Sequence, residues 1–246
     1  AGVAALFAPW NAPLALASMQ IASSLAFGNT CVLKPSEHTP LSILRMVSLL
    51  EEAGLPPGTI NVINGTGMKT GAALAGSAGI DRIAFTGGGT TARQVMAAAA
   101  NHLTPVHFEL GGKSANIVFD DANFEQAIDG SLVNIFSNSG QICIAGSRIL
   151  VQRGISERFI AAFVARTRSL KVGDPLDPNV EVGPMAFKSH WEKVYQSKAP
   201  ETVSWYAPHL ETSIKLIHQA TTDKHAAIID VGGGEATLVD DLLDHG

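Results

Sequence analysis

Short apolar runs alternate with helix-like segments along most of the chain. The runs are bounded by Gly, Pro and Asn, which is typical of strands that enter tight turns. The pattern predicts strands at 3–7, 30–33, 60–63, 82–85, 106–109, 116–119, 148–152 and 226–230, and helices at 14–27, 40–53, 69–75, 91–101, 124–138, 156–170, 210–220 and 237–243. Strands that alternate with helices form βαβ units, so we expect an α/β fold with a parallel sheet and right-handed crossovers.

Composition and charge narrow the class of function. The 246 residues are 46% hydrophobic and 16% charged, with a net charge of −5, which fits a packed core and offers no basic field for nucleic acid or an anionic membrane. No apolar run is long enough to span a bilayer. Two cysteines cannot build a disulfide framework, so we expect a reducing compartment, the cytoplasm.

The composition changes near residues 187–195. Both tyrosines and two of the three tryptophans lie after this point, while glycine becomes rarer. The histidines of this last part show no metal-ligand spacing, so we expect no metal site. We take 187–190 as a candidate boundary between unlike pieces.

Cys143 is the first candidate for chemistry. It follows a predicted helix in a Gly-containing turn and precedes a strand, where a thiol can face a cleft and act as a nucleophile. A lone cysteine is more often a small buried apolar residue, and Cys31, on an apolar strand, takes that interpretation.

Glu109 and Asn11 are the polar candidates. Glu109 ends a strand just before Gly111, where a carboxylate can act as a general base on water, although an exposed loop acid explains it equally well. Asn11 has an amide that can donate to an oxyanion, but a simple turn former is the commoner role.

Seven segments together carry a specific pattern. They are PWNAPLALA, GNTCVLKPSEHTP, GLPPGTINVINGTG, IAFTGGGTTAR, FELGGKSANIVFDDAN, GQICIAGSR and VGPM, in this order. Residues 1–186 thereby resemble the aldehyde dehydrogenase superfamily. The resemblance implies a partial doubly wound parallel sheet, with a partial NAD-binding domain at 1–110 and a partial catalytic domain at 111–186.

The resemblance also implies a role for each matched position. Cys143 corresponds to the catalytic nucleophile, Glu109 to the general base and Asn11 to the oxyanion donor. The cofactor-binding positions it implies are Lys34, Glu37, Gly87, Gly88, Trp10 and Gly111. The implied reaction oxidises a small-molecule aldehyde to a carboxylic acid through a thiohemiacetal and a thioester. NAD is favoured over NADP, since a carboxylate at Glu37 suits a ribose 2′-hydroxyl and repels a 2′-phosphate.

A second resemblance concerns residues 187–246. The text KAPETVSWY and the run AIIDVGGGEA resemble the amino terminus of a class I S-adenosylmethionine-dependent methyltransferase. Asp230, Gly232 and Gly234 would form its ligand turn, in a short Rossmann-like βα fragment, and S-adenosylmethionine would bind only if that domain were complete.

These two resemblances predict a truncated, chimeric chain. Family segments expected before PWN and after VGPM are missing, including the oligomerisation strand of a family that is usually homo-oligomeric. We therefore expect an NAD-dependent aldehyde dehydrogenase by family, with little or no turnover in this chain. The alternatives are a methyltransferase fragment and a non-catalytic remnant that still binds NAD.

Overall fold

The computed structural model describes residues 2–183 and 227–230 of the chain. The chain divides into two compact units, residues 1–111 and residues 112–246, and each is described here by itself.

The first unit is a five-stranded parallel sheet with helices on both faces. Its elements are β1 (Val3–Phe7), α1 (Pro13–Ala26), β2 (Thr30–Lys34), α2 (Leu41–Glu52), β3 (Ile60–Val62), α3 (Ala72–Ala75), β4 (Arg82–Gly87), α4 (Gly89–Ala100) and β5 (Val106–Leu110). The strand order is β3-β2-β1-β4-β5. A single π-helical turn, Gly67–Gly71, leads directly into α3. The expectation of a doubly wound parallel sheet is confirmed for this unit.

Alternation along β1 explains why helices cover both faces of the sheet. Ala4 and Leu6 pack in one apolar cluster with α1 and α2, whereas Ala5 and Phe7 pack in the other with α3 and α4. Side chains on a strand point alternately to opposite faces, so a continuous apolar run is what a strand buried on both sides requires.

Turn residues set the ends of the helices as expected. Pro13 occupies the first turn of α1, where its missing N–H costs no helical hydrogen bond. Gly28 after α1 and Gly54 after α2 both have positive φ, which glycine adopts without steric penalty. α4 differs from the prediction, because it begins at Gly89 rather than at residue 91.

The described part of the second unit contains a three-stranded sheet and two helices. Its described elements are β6 (Ala115–Val118), α5 (Phe124–Phe136), β7 (Arg148–Val151), α6 (Arg153–Ser169) and β8 (Ala227–Asp230), with strand order β6-β7-β8. β6 and β7 are parallel, and their side chains pack with both helices around Phe159, which is fully buried.

β8 pairs in a way that the sequence pattern did not indicate. The pattern assigned residues 226–230 to a separate βα fragment, whereas Ala227–Asp230 pairs antiparallel with β7, with Asp230 opposite Arg148. An antiparallel neighbour satisfies the open backbone edge of β7 as fully as a parallel one, and the apolar pattern of a strand carries no information on direction. The helices predicted at 210–220 and 237–243 lie outside the described residues.

Within residues 2–183 and 227–230, no helix combines the length and apolar character needed to cross a lipid bilayer.

Candidate active site

The carboxyl edge of the first sheet gathers most of the candidate residues. In a parallel sheet all strands end on one edge, and the crevice at the point where strand order reverses is the usual ligand site. Here the reversal lies between β1 and β4, which are neighbours with connections leaving in opposite directions. The loop with Trp10 and Asn11 follows β1, whereas Gly87 ends β4 and Gly88 comes directly after it.

Lys34 and Glu37 form an ion pair at the end of β2. The Lys34 Nζ donates to the Pro35 carbonyl at 2.9 Å and to a Glu37 carboxylate oxygen at 3.4 Å. The lysine side chain is only 6% exposed, whereas that of Glu37 is 40% exposed. A Cβ on Gly71 of the π-helical turn would lie 3.5 Å from the aliphatic stem of Lys34. The Glu37 carboxylate is therefore accessible to solvent, while the buried Lys34 side chain holds it through the ion pair.

The charge state of Glu37 follows from its surroundings. Partial burial pushes the pKa of its carboxyl upward, but hydrogen bonds from backbone N–H groups, its own and that of Gly67, and the Lys34 ammonium outweigh burial. The net result is a pKa below the ordinary value, so Glu37 is a stable anion at neutral pH. An anion at this position is suited to accept hydrogen bonds from a diol.

The two glycines at the end of β4 differ in how much space surrounds them. A Cβ on Gly87 would lie 2.7 Å from the Phe85 ring, so packing within the protein requires glycine there. A Cβ on Gly88 would meet nothing within 4 Å, which leaves open space at this turn. The first helical hydrogen bond of α4 runs from Ala92 N–H to the Gly88 carbonyl. The N–H groups preceding Ala92 thus lack an acceptor inside the helix, the usual arrangement for binding an anion.

Glu109 lies near the end of β5 with a partner that sequence reasoning missed. Its carboxylate is 3.1 Å from the His107 Nε2, and both side chains are well exposed. Positions two apart on a strand share a face, so the spacing offered a signal for this pair. Gly111 follows β5 and has open space where a Cβ would stand.

Asn11 and Trp10 lie in the loop between β1 and α1, partly exposed. α1 also holds Gln20, whose side-chain amide donates to the Phe7 carbonyl at 3.2 Å and to the Thr86 hydroxyl at 3.1 Å. Gln20 thereby ties the ends of β1 and β4 together beside the crevice. No local sequence signal marks it, because Thr86 is far away along the chain.

Cys143 lies in the second unit, in a loop between α5 and β7. It is a free thiol of intermediate exposure. The turn before it is unusual, because Asn138, Ser139 and Gly140 have φ of 50°, 56° and 75°. Left-handed geometry costs a residue with a side chain about 1–2 kcal/mol, and such strain is found preferentially at functional sites. After Cys143, the Asn134 side chain accepts a hydrogen bond from Gly146 N–H at 3.2 Å.

Cys31 is buried in the first apolar cluster, in line with its interpretation as a core residue. Burial raises the pKa of its thiol, and a hydrogen bond with Ser24 opposes this only in part. For the S-adenosylmethionine turn, Asp230 ends β8, whereas Gly232 and Gly234 lie outside the described residues. In the part of the chain that the structure describes, no three His, Cys, Asp or Glu side chains cluster as metal ligands would.

Comparison with known proteins identifies the family. A model of the aldehyde dehydrogenase family matches residues 1–204, and the chain belongs to that family. The match continues past the boundary that composition placed at 187–190. Curated relatives include an aldehyde dehydrogenase of Agaricus bisporus, 44% identical over 194 residues, and betaine aldehyde dehydrogenase 2 of Rhizobium meliloti, 40% identical over 229 residues.

A solved structure supports the same assignment. Betaine aldehyde dehydrogenase from Staphylococcus aureus, in complex with NAD+, matches with a TM-score of 0.75 and 45% identity. It is matched over 79% of this chain and 39% of its own. The two curated relatives are likewise covered over only 39% and 47% of their lengths, so the chain spans less than half of each.

Proposed function

We propose that the chain carries the NAD site and the nucleophile of an NAD-dependent aldehyde dehydrogenase, an oxidoreductase that converts an aldehyde to a carboxylic acid. The observation that carries this proposal is the Lys34–Glu37 pair on the same sheet edge as the open Gly88 turn. We assign residues 1–110 to a partial NAD-binding domain and residues 111–186 to a partial catalytic domain with Cys143.

The residues of the first sheet edge fit NAD. The open space at Gly88 and the backbone N–H groups in the first turn of α4, which have no acceptor within the helix, suit a pyrophosphate. The Glu37 carboxylate suits the adenosine ribose, with Lys34 holding it in place. The same carboxylate would repel a 2′-phosphate at close range, which favours NAD over NADP. When bound, NAD supplies the hydride acceptor for the oxidation.

The covalent chemistry is assigned to Cys143. Its sulfur attacks the carbonyl carbon of the aldehyde, which gives a thiohemiacetal alkoxide. Oxyanion donation is assigned to the Cys143 backbone N–H, and the family motif implies the same role for the Asn11 side-chain amide. When the C–H electron pair leaves as hydride, the carbonyl re-forms and a thioester remains on Cys143.

Hydrolysis of the thioester is assigned to Glu109. Its carboxylate removes a proton from water, the hydroxide attacks the thioester carbon, and the carboxylic acid leaves as the Cys143 thiolate is expelled. The His107 imidazole, 3.1 Å from this carboxylate, is placed to orient it. Trp10 and Gly111 flank Asn11 and Glu109 along the chain and are assigned to the walls of the cofactor site.

We assign no residue after 186 a role in this function. The methyltransferase-like interpretation rests on the text after residue 187, chiefly the turn with Asp230, Gly232 and Gly234, and methyl transfer is the less favoured function. We place the protein in the cytoplasm, where a free thiol such as Cys143 stays reduced.

The test follows both NAD reduction and the covalent adduct. The full chain is incubated with NAD and a panel of aliphatic and aromatic aldehydes, and peptide mass spectrometry then locates acyl groups. We expect a thioester on Cys143 that accumulates in Glu109→Gln, where deacylation is slowed by about 100-fold or more. Cys143→Ala should abolish the adduct, whereas Cys31→Ala, the matched control, should retain it.

Three outcomes would redirect the assignment. NAD binding with no acyl adduct on any variant favours the non-catalytic remnant. Binding of S-adenosylmethionine that Gly232→Val removes favours the methyltransferase alternative. An adduct that survives Cys143→Ala would show that another residue is the nucleophile.

A further inference from the structure

The turn that leads into Cys143 is built from three successive left-handed residues. Asn138 and Ser139 have side chains, and elsewhere in residues 2–183 only Leu103 combines a side chain with positive φ. A left-handed conformation at two adjacent L-residues does not persist unless other interactions hold it.

Local hydrogen bonds close this turn but do not explain its left-handed backbone conformation. Gln141 N–H donates to the Asn138 carbonyl at 3.0 Å, and the Gln141 side-chain amide reaches the same oxygen at 3.1 Å. The Asn138 side chain in turn donates to the Gln141 carbonyl at 3.3 Å. All these bonds stay within four residues and move with the turn.

A hydrogen bond of Ser139 ties the turn to a distant segment. The Ser139 hydroxyl donates to the Gly183 carbonyl at 2.8 Å, across 44 residues of sequence. This bond fixes the middle residue of the turn from outside.

The accepting carbonyl is itself held in place. The segment leading to Gly183 folds back on itself, with Gly173 N–H donating to the Val182 carbonyl at 3.1 Å and Val182 N–H donating to the Lys171 carbonyl at 3.1 Å. Gly183 lies so close to Pro175 that a Cβ there would stand 3.3 Å from the proline ring. The Gly183 carbonyl is therefore a defined anchor.

We propose that Ser139 is a positioning residue, whose hydroxyl bond to Gly183 keeps the left-handed turn that orients Cys143. This inference rests on the proposed role of Cys143 as nucleophile. It also gives Gly183, in the VGPM segment, a part in the site: its carbonyl is the fixed point against which the nucleophile turn is set.

The decisive comparison uses two replacements of the same serine. Ser139→Ala removes the hydroxyl but keeps a Cβ that disfavours left-handed geometry. Ser139→Gly removes the same hydroxyl, yet glycine adopts that geometry freely. Ser169→Ala is the matched control, because the Ser169 hydroxyl also donates to a backbone carbonyl, that of Arg166 at 2.8 Å, at the far end of α6.

The first measurement is amide hydrogen exchange of the peptide covering residues 137–146 in the full chain. We expect exchange to be faster by about fivefold in Ser139→Ala, the effect of losing one hydrogen bond of average strength. Ser139→Gly should lie between this variant and the parent, and Ser169→Ala should match the parent. Equal exchange in Ser139→Ala and the parent would overturn the proposal.

The second measurement is the rate of Cys143 alkylation by iodoacetamide, with the buried Cys31 as internal reference. We expect a slower rate in Ser139→Ala, since fewer molecules hold the thiol in its reactive orientation, and partial recovery in Ser139→Gly. If Ser139 only stabilised the loop, Ser139→Gly should depart further from the parent rate than Ser139→Ala, because glycine makes the chain more flexible than alanine does. Neither measurement needs NAD or aldehyde, so its result is independent of whether the chain oxidises aldehydes.

Discussion

The side-chain amide of Gln20 donates a hydrogen bond to the Thr86 hydroxyl at 3.1 Å. One residue is on α1 and the other is near the end of β4, so the bond joins the two strand–helix units on either side of the crevice. The same nitrogen also donates to the Phe7 carbonyl at the end of β1. The shape of the crevice thus depends on a contact between elements far apart in sequence.

A double-mutant cycle measures this contact. Gln20→Met and Thr86→Val each remove one partner while keeping size, and urea unfolding of both single variants and the double variant gives their coupling. We expect a coupling free energy of about 1 kcal/mol, typical of one partly buried hydrogen bond. Thr91→Val, at an exposed position on α4, is the control that should show no coupling with Gln20→Met. Additive effects for Gln20 and Thr86 would contradict the prediction.

Glu37→Gln should change cofactor preference. The amide keeps the shape of the side chain but loses the charge that accepts from a ribose diol and repels a 2′-phosphate. We expect the affinity for NAD to fall by about tenfold. The ratio of NAD affinity to NADP affinity should fall by more than this factor, because the repulsion of the 2′-phosphate is lost as well. Isothermal titration calorimetry measures both affinities. Glu52→Gln is a matched control, because Glu52 also pairs with a cation, Arg45 at 2.8 Å, but on the exposed face of α2. A similar loss of affinity in both variants would argue against a specific role for Glu37.

Glu37 should also make stability depend on acid. Its pKa is lowered in the folded protein below the ordinary value of 4.5, so its ionised form stabilises the folded state above the unfolded pKa. That contribution is lost as the pH falls through the lower, folded-state pKa. In urea unfolding, the stability difference between the parent and Glu37→Gln should therefore shrink from about pH 6 to about pH 3.

The pKa of a second carboxyl, that of Asp177, is also lowered in the folded protein. Hydrogen bonds from Asn179, chiefly from its backbone N–H, lower the pKa of Asp177. This contribution is present in both proteins and cancels in their difference. A difference between parent and Glu37→Gln that stays constant over the acid range would show that Lys34 and the backbone do not hold the Glu37 anion.

Local signals account for what the sequence predicts well. Apolar runs bounded by turn residues locate the described strands to within one or two residues, since both the run and the turn residues at its ends can be recognised in the sequence. The start of α4 was placed too late because glycine is read as a turn residue, whereas Gly89 already has helical geometry. The Lys34–Glu37 pair was within reach, since its residues are three apart.

Contacts between distant segments account for what the sequence does not predict. Gln20 and Thr86 are 66 residues apart, and Ser139 and Gly183 are 44 apart. Their residue types are ordinary for exposed helix and turn positions, so only the fold reveals them. The direction of β8 was likewise hidden, because period and apolarity are the same in parallel and antiparallel strands.

Two glycines of the second unit should respond in opposite ways to alanine. A Cβ on Gly146 would clash with the Asn134 amide, whose oxygen accepts the Gly146 N–H, so Gly146→Ala must displace that side chain and lose the bond. We expect about 1–3 kcal/mol of destabilisation in urea unfolding, together with faster amide exchange in the loop around Cys143.

Gly130 provides the matched control, since it lies in the middle of α5 with open space where a Cβ would stand. Gly130→Ala should stabilise the second unit by about 1 kcal/mol, because alanine loses less backbone entropy in a helix. Adding Asn134→Ala to Gly146→Ala removes the clash, so the double variant should be less destabilised than the two single changes added together. Strict additivity, or stabilisation by Gly146→Ala, would mean that the loop carrying Cys143 is not braced by α5 at this point.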